Sequence, residues 1–261
     1  MTIRTLKAMF NPRAIAVIGR GHTDDDADAL LERNLINAGF KGPVLPVNPD
    51  RPAVAGVFTY PDVASLPAIP ELAILTTPLE ESPAFIQALG AKGARVVVLL
   101  SPERLTALPD DGAALKQALL AAARPYRLRL LGPDRLGMAI PVNGINATLS
   151  QTPVLSGHLS LLTQSSSLMQ AVMSWASTRM IGFSHLISLG AAVDVDCSDM
   201  LDYLAQDPQT HAILMYLADA PDHRLRQKAR RPGGVWRSAA GQQGHAQAQP
   251  GVRFHHHPRP R

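Results

Sequence analysis

The stretch AIAVIGRGHTDDDADALL, Ala14 to Leu31, decides how this chain is read. An apolar run, a Gly-x-Gly turn and an amphipathic segment follow one another, which describes a strand, a tight turn and a helix. Backbone N–H groups and the positive end of the helix dipole converge at such a turn and favour an anion. The dinucleotide fingerprint G-x-G-x-x-G is incomplete here, because Gly19 and Gly21 are followed by Asp24 where a third glycine would stand. The turn therefore points to an anion site in an α/β unit without naming the ligand.

The same alternation continues outward from it. GPVLPVNP (42–49), LAILTTP (72–78), ARVVVLLS (94–101) and LRLLGP (128–133) are apolar strands, separated by helical stretches at 26–40, 81–93 and 112–125. Continuous apolar strands alternating with amphipathic helices argue a parallel sheet covered on both faces. This first unit is expected to occupy residues 1–145. A second begins with LSLLT (159–163), the small-residue turn QSSS (164–167) and the helix LMQAVMSWAS (168–177). A strand near 183–190, a helix over 198–207 and a strand HAILMYL (211–217) complete a shorter α/β unit, expected to span 153–220.

Composition sets the remaining bounds. The chain has 261 residues, 46% apolar and 18% charged, enough for two globular cores. A single cysteine, Cys197, excludes an intramolecular disulfide. With no basic-then-apolar leader and no run of about 18 apolar residues, a soluble cytoplasmic protein without a membrane partner is expected. The net charge of +4 is concentrated at one end: residues 223–261 hold nine Lys and Arg and no acid. Only Trp236 and Phe254 interleave those cations, so a nucleic-acid stacking surface is not expected. The tail, which includes His255, His256 and His257, is expected to be disordered.

PRAIAVIG, LPVNP, LLGPDRLG, INATLS, LLTQSSSLMQAVMSWA, GFSHLISLG and VDVDCSDMLDYLAQDPQTHAILMYL occur in that order over residues 7–218. In that order they resemble the NDP-forming acyl-CoA synthetases, and most nearly the amino-terminal part of Pat-type protein lysine acetyltransferases. The resemblance implies an α/β protein: a Rossmann-like CoA-binding domain followed by an incomplete flavodoxin-like, succinyl-CoA-synthetase-like domain. It implies CoA or acetyl-CoA as cofactor, held by Gly19, Arg20, Gly21, His22, Asn48, Pro49 and Arg51. Thr76, Thr77 and Pro78, with Pro133 and Asp134, would line the rest of the groove. Gln164, Ser165, Ser166 and Ser167 would receive a phosphoryl group at a helix N-terminus; a plain serine cap explains the same residues. Possible partners are an ATP-grasp subunit or a second copy of the chain.

The sequence departs from the family pattern at three turns. Gly-Arg-Gly replaces Gly-Ala-Ser, Gly-Pro-Asp replaces Gly-Pro-Asn, and Gln-Ser-Ser-Ser replaces the usual Gln-Ser-Gly. Asp24, Asp25 and Asp26 either tune the local field or cap the helix, and capping is the expectation. No phosphate-carrying histidine is placed, because the pattern stops after Asp222 and His245 lacks a preceding strand. The end reads as truncated or frame-shifted. No catalytic residue and no metal site is assigned. His158 and His185 are expected to be packed, and Asp194, Asp196 and Asp199 to cap rather than ligate. Cys197, near a helix start, is a candidate for a lowered pKa. Three functions remain: a CoA-binding piece of a lysine acetyltransferase without its GNAT domain, an alpha-type subunit of an ADP-forming ligase, or an NAD(P) oxidoreductase. The last needs a ribose-holding carboxylate, and Asp50 lies one residue beyond Asn48-Pro49.

Overall fold

A computed structural model describes residues 3–23, 26–54, 56–103, 105–217 and 236–238. The first sheet consists of β1 (Ile15–Ile18), β2 (Val44–Val47), β5 (Leu72–Leu75), β6 (Val96–Leu100) and β7 (Arg129–Asp134). All five are parallel, in the order β2-β1-β5-β6-β7. Alternate residues feed opposite faces. Ile15, Val17, Leu72, Ile74, Val96 and Val98 join Leu31 and Leu35 of α2 (Ala27–Asn37) on one side. Ala16, Ile18, Ala73, Leu75, Val97 and Leu99 meet Ile86 of α3 (Ser82–Lys92) and Leu119 of α4 (Ala113–Ala123) on the other. Helices on both faces are why these strands read as unbroken apolar runs.

The second sheet has the order β13-β12-β10-β11-β8-β9. Its parallel strands are β10 (Ser156–Thr163), β11 (Phe183–Ser188), β12 (Ala212–Tyr216) and β13 (Trp236–Ser238); α5 (Ser166–Ser177) connects β10 to β11 and α6 (Cys197–Leu204) connects β11 to β12. The antiparallel pair β8 (Gly137–Ile140) and β9 (Ile145–Thr148) turns at Gly144, φ +67°, and β8 pairs with β11. Residues 137–148 thus hydrogen-bond into the second sheet, although the sequence places 137–145 in the first unit. Four-residue strands, Gly-Met-Ala-Ile and Ile-Asn-Ala-Thr, are too short for periodicity to reveal that choice. A small hairpin, β3 (Ala53–Val54) and β4 (Val57–Phe58), is likewise invisible in the sequence.

The two units share one core. Met138, Leu162, Ile187, Val195, Met200 and Ile213 of the second pack in the same cluster as Val17 and Ile74 of the first. Phe10 of α1 (Ile3–Phe10) stacks on Tyr203 of α6, ring centroids 4.1 Å apart. The segment after β11 lies along β7: Val195, Val193 and Ala191 donate N–H bonds to Leu130, Gly132 and Pro133 carbonyls at 3.0–3.1 Å. Gly190 is required at that joint, because a Cβ there would overlap the Pro133 carbonyl oxygen. Most of the basic tail, with His245, Phe254 and the three terminal histidines, lies outside the described residues. Trp236–Ser238 is the exception, pairing beside β12 where the sequence predicts no strand.

Candidate functional site

The strand order of the first sheet reverses between β1 and β5, since β2 lies on one side of β1 and β5 on the other. Open α/β sheets bind ligands at the carboxyl ends of the strands flanking such a reversal. Gly19, Arg20 and Gly21 follow β1 there, Asn48 and Pro49 follow β2, and Thr76, Thr77 and Pro78 follow β5.

Asn48, 3% exposed, ties the first two turns together. Its Nδ2 donates to the Gly21 carbonyl at 2.9 Å and to Asp28 Oδ2 at 3.2 Å, and its Oδ1 accepts the Asp50 N–H at 2.9 Å. Asp28 is buried at the start of α2 and also accepts the Gly21 N–H at 3.1 Å. Both glycines are needed by this carboxylate: a Cβ on Gly19 would lie 2.5 Å from Asp28 Cβ, and one on Gly21 would overlap Asp28 Oδ1. Asp26 Oδ2 accepts the N–H groups of His22 at 2.5 Å and Thr23 at 2.8 Å, and these bonds hold its carboxyl below the usual range. Asp26 stands at the helix N-cap, but its carboxylate binds the preceding turn, not the first helical N–H groups. The capping expectation is corrected for Asp26, whereas Asp24 and Asp25 lie outside the described residues; Asp26 and Asp28 fasten the glycine turn by accepting the N–H groups of Gly21, His22 and Thr23.

Among the described residues, Arg20 and Thr77 are the candidates to meet a ligand at this end. Arg20 is half exposed and pairs with Glu81 at 3.0 Å, at the start of α3. Thr77, 2% exposed, has a buried hydroxyl with no hydrogen-bond partner among the described residues, a defect that a polar ligand group would relieve. Thr76 bonds the Ile18 carbonyl and so joins the ends of β5 and β1. Arg51 lies beyond Asn48, and its carbonyl accepts the Thr59 hydroxyl.

Pro133 and Asp134 stand at the carboxyl end of β7, and their polar groups are engaged by the second unit. Both are buried in the joint between the sheets. The Pro133 carbonyl accepts Ala191 N–H, Asp134 Oδ2 accepts the N–H groups of Leu136 at 2.7 Å and Gly137 at 2.9 Å, and Oδ1 accepts Ser166 Oγ at 3.0 Å. A carboxylate so engaged serves the turn into β8 and the start of α5. That outcome was out of reach of the sequence, because Ser166 lies 32 residues away.

At the start of α5, Ser165 is the N-cap and accepts the Leu168 N–H at 3.2 Å. The Gln164 N–H bonds the Tyr216 carbonyl. Ser166 and Ser167 occupy the first turn, whose N–H groups have no carbonyl within the helix. Ser188, at the end of β11 beside Thr163 of β10, has a buried hydroxyl with no partner.

The other candidates fall to structural roles. His185, 2% exposed, packs edge-on to Phe10 and Tyr203, and burial pushes its pKa down to about 4 against the opposing pull of Asp207. His158 stacks on His211 at 4.1 Å on the surface. Asp196 and Asp199 form a capping box on α6, while Asp194 and Asp199 pair with the buried Arg129 at 2.8 and 2.7 Å. Cys197 is corrected: burial raises its pKa to about 12, opposite to the lowered value a helix start suggests.

A CoA-binding domain and a succinyl-CoA-ligase-like flavodoxin domain are therefore what the fold and its strand ends define. The CoA binding domain family matches residues 13–141, and the succinyl-CoA ligase like flavodoxin domain family matches 156–232. The chain belongs to the NDP-forming acyl-CoA synthetase family. It is 33% identical to the alpha subunit of acetate–CoA ligase (ADP-forming) I of Pyrococcus furiosus, over 84% of this chain and 48% of that one. Acetate–CoA ligase (ADP-forming) I of Archaeoglobus fulgidus is also 33% identical, over 84% of this chain and 32% of the relative. Among solved structures, the dinucleotide forming acetyl-coenzyme A synthetase 1 of Ca. Korarchaeum cryptofilum, in complex with phosphate and ADP, superposes with a TM-score of 0.81 and 30% identity. That superposition covers 90% of this chain and 51% of the other. The chain thus spans about half the length, or less, of the relatives it matches.

Proposed function

We propose that the chain binds CoA or an acyl-CoA at the carboxyl ends of β1, β2 and β5, as the CoA-binding part of an ADP-forming acyl-CoA ligase. The observation that carries this reading is the meeting of the Gly19–Gly21 turn and the unpartnered Thr77 hydroxyl at the reversal of strand order. Arg20 supplies a cation to a phosphate, and Thr77 a hydroxyl to a polar group of the cofactor. CoA provides the thiol that carries the acyl group; the protein's part is to bind and orient it. The start of α5, with Ser166 and Ser167 in its first turn, is the proposed receiver of a phosphoryl group in the same chemistry. An ATP-grasp subunit is the proposed partner, in keeping with the word alpha in the name of the Pyrococcus relative.

The ligase reading is preferred to that of an acetyltransferase fragment because the relatives at 33% identity are named as ligases. NAD is disfavoured by the end of β2: Asn48 is buried and engaged, and Asp50 is exposed beyond Pro49. Calorimetric titration with CoA, acetyl-CoA, NAD and ATP tests the proposal. CoA or acetyl-CoA should bind more tightly than NAD, and Arg20→Ala should weaken that binding. Equal affinities for CoA and NAD would overturn it.

A further inference from the structure

A cavity of about 930 Å3 opens at the amino-terminal end of the first sheet, where β1, β2, β5 and β6 begin. Six residues of extended chain from Arg13 to Gly19 span about 20 Å, so this cavity is remote from the glycine turn. Its floor is backbone in close approach: a Cβ on Gly144 would lie 2.7 Å from the Gly39 carbonyl, and one on Gly42 would overlap the Arg13 carbonyl oxygen. Asn143 Nδ2 bonds the Phe10 carbonyl at 2.7 Å and closes one side.

Four cations from separate segments stand around this floor: Lys7, Arg13, Lys41 and Arg95. A single carboxylate accompanies them, Glu71, and it lies between the two arginines, 3.7 Å from Arg13 Nε and 4.0 Å from Arg95 Nε. Lys7 and Lys41 pair with no carboxylate among the described residues. The carboxyl ends of α1 and α2 also face this side, and each contributes about half a negative charge. Those ends reduce the excess of three positive charges without cancelling it. The body of the chain is otherwise mildly acidic, so the cluster is a local feature and not a reflection of overall charge.

We propose that this cavity binds a small phosphoryl-bearing anion. Its volume falls in the usual range for small-molecule sites. Two guanidinium groups near one carboxylate, with two ammonium groups also lining the cavity, suit an anion that carries several charges on tetrahedral oxygens. The cavity is independent of the proposed CoA site, so either reading can fail alone.

The test is titration of the full chain with inorganic pyrophosphate at low ionic strength, with citrate as a carboxylate of comparable charge. Pyrophosphate should bind more tightly than citrate, and the affinity should fall as salt is added. The double variant Lys7→Glu, Lys41→Glu should weaken pyrophosphate binding by at least about tenfold, since both residues are exposed and their replacement reverses two charges. The same variant should bind CoA as the parent does, and Arg20→Ala should bind pyrophosphate as the parent does. No pyrophosphate binding at about 1 mM, a few kcal/mol on the affinity scale, would overturn the proposal. So would affinity unchanged in the double variant, or tighter binding of citrate.

Discussion

Ser166 Oγ, in the first turn of α5, donates a 3.0 Å hydrogen bond to Asp134 Oδ1 at the end of β7. One buried carboxylate thereby joins the last strand of the CoA-binding domain to the helix start proposed to receive phosphate. Asp134→Ala leaves two buried N–H groups and a hydroxyl without their acceptor, and is expected to cost about 2–4 kcal/mol. Ser166→Ala removes one bond and is expected to cost about 1 kcal/mol. Urea unfolding of both variants checks the ranking, and equal losses would contradict it.

Arg129 is the second fastening between the units. Its guanidinium is buried against Asp194 and Asp199, which raise its pKa although burial alone opposes the charge. Arg129→Met leaves two carboxylates facing each other without a cation and is expected to cost about 3 kcal/mol. Arg13→Ala, which breaks an exposed pair with Glu71, should cost less than about 1 kcal/mol. Chemical denaturation of the two variants measures the contrast.

His185 makes stability depend on acid. Its folded pKa, about 4, lies below the ordinary value of 6.5, so the unfolded chain takes up the proton first as pH falls. The stability contribution is complete above 6.5 and is lost as pH drops toward 4, by about 3 kcal/mol in all. Denaturation midpoints recorded between neutral pH and the acid end of that window should show the decline, and His185→Leu should flatten it. An unchanged slope in the variant would assign the acid sensitivity to other groups.

Asp26 occupies the N–H groups of His22 and Thr23 with its own carboxylate. Asp26→Ala frees both donors and removes a negative charge from the glycine turn. CoA affinity is expected to rise by about threefold to tenfold, the effect of one favourable charge interaction. Calorimetry on the variant reads this directly, and weaker binding would mean that the carboxylate holds the turn in its binding shape.

Much of the architecture was legible along the chain. Apolar runs at 15–18, 72–75 and 96–100 report strands covered on both faces, and the glycines after β1 report a tight turn, because periodicity and turn chemistry act between residues a few positions apart. The placing of residues 137–148 in the second sheet was not legible, since four-residue strands pair with whichever edge the fold presents. Asp26 and Cys197 were misjudged, and the partners of Asp134 missed, for the same reason: exposure and hydrogen-bond partners are properties of neighbours in space. Ser166 lies 32 residues from Asp134 and Asp194 lies 65 from Arg129. The local pattern determined the α/β alternation and its candidate anion turns. Which carboxylates were consumed by the joint and which cations were left around an open cavity were decided only by tertiary packing, which brings distant charges within bonding distance and removes them from water.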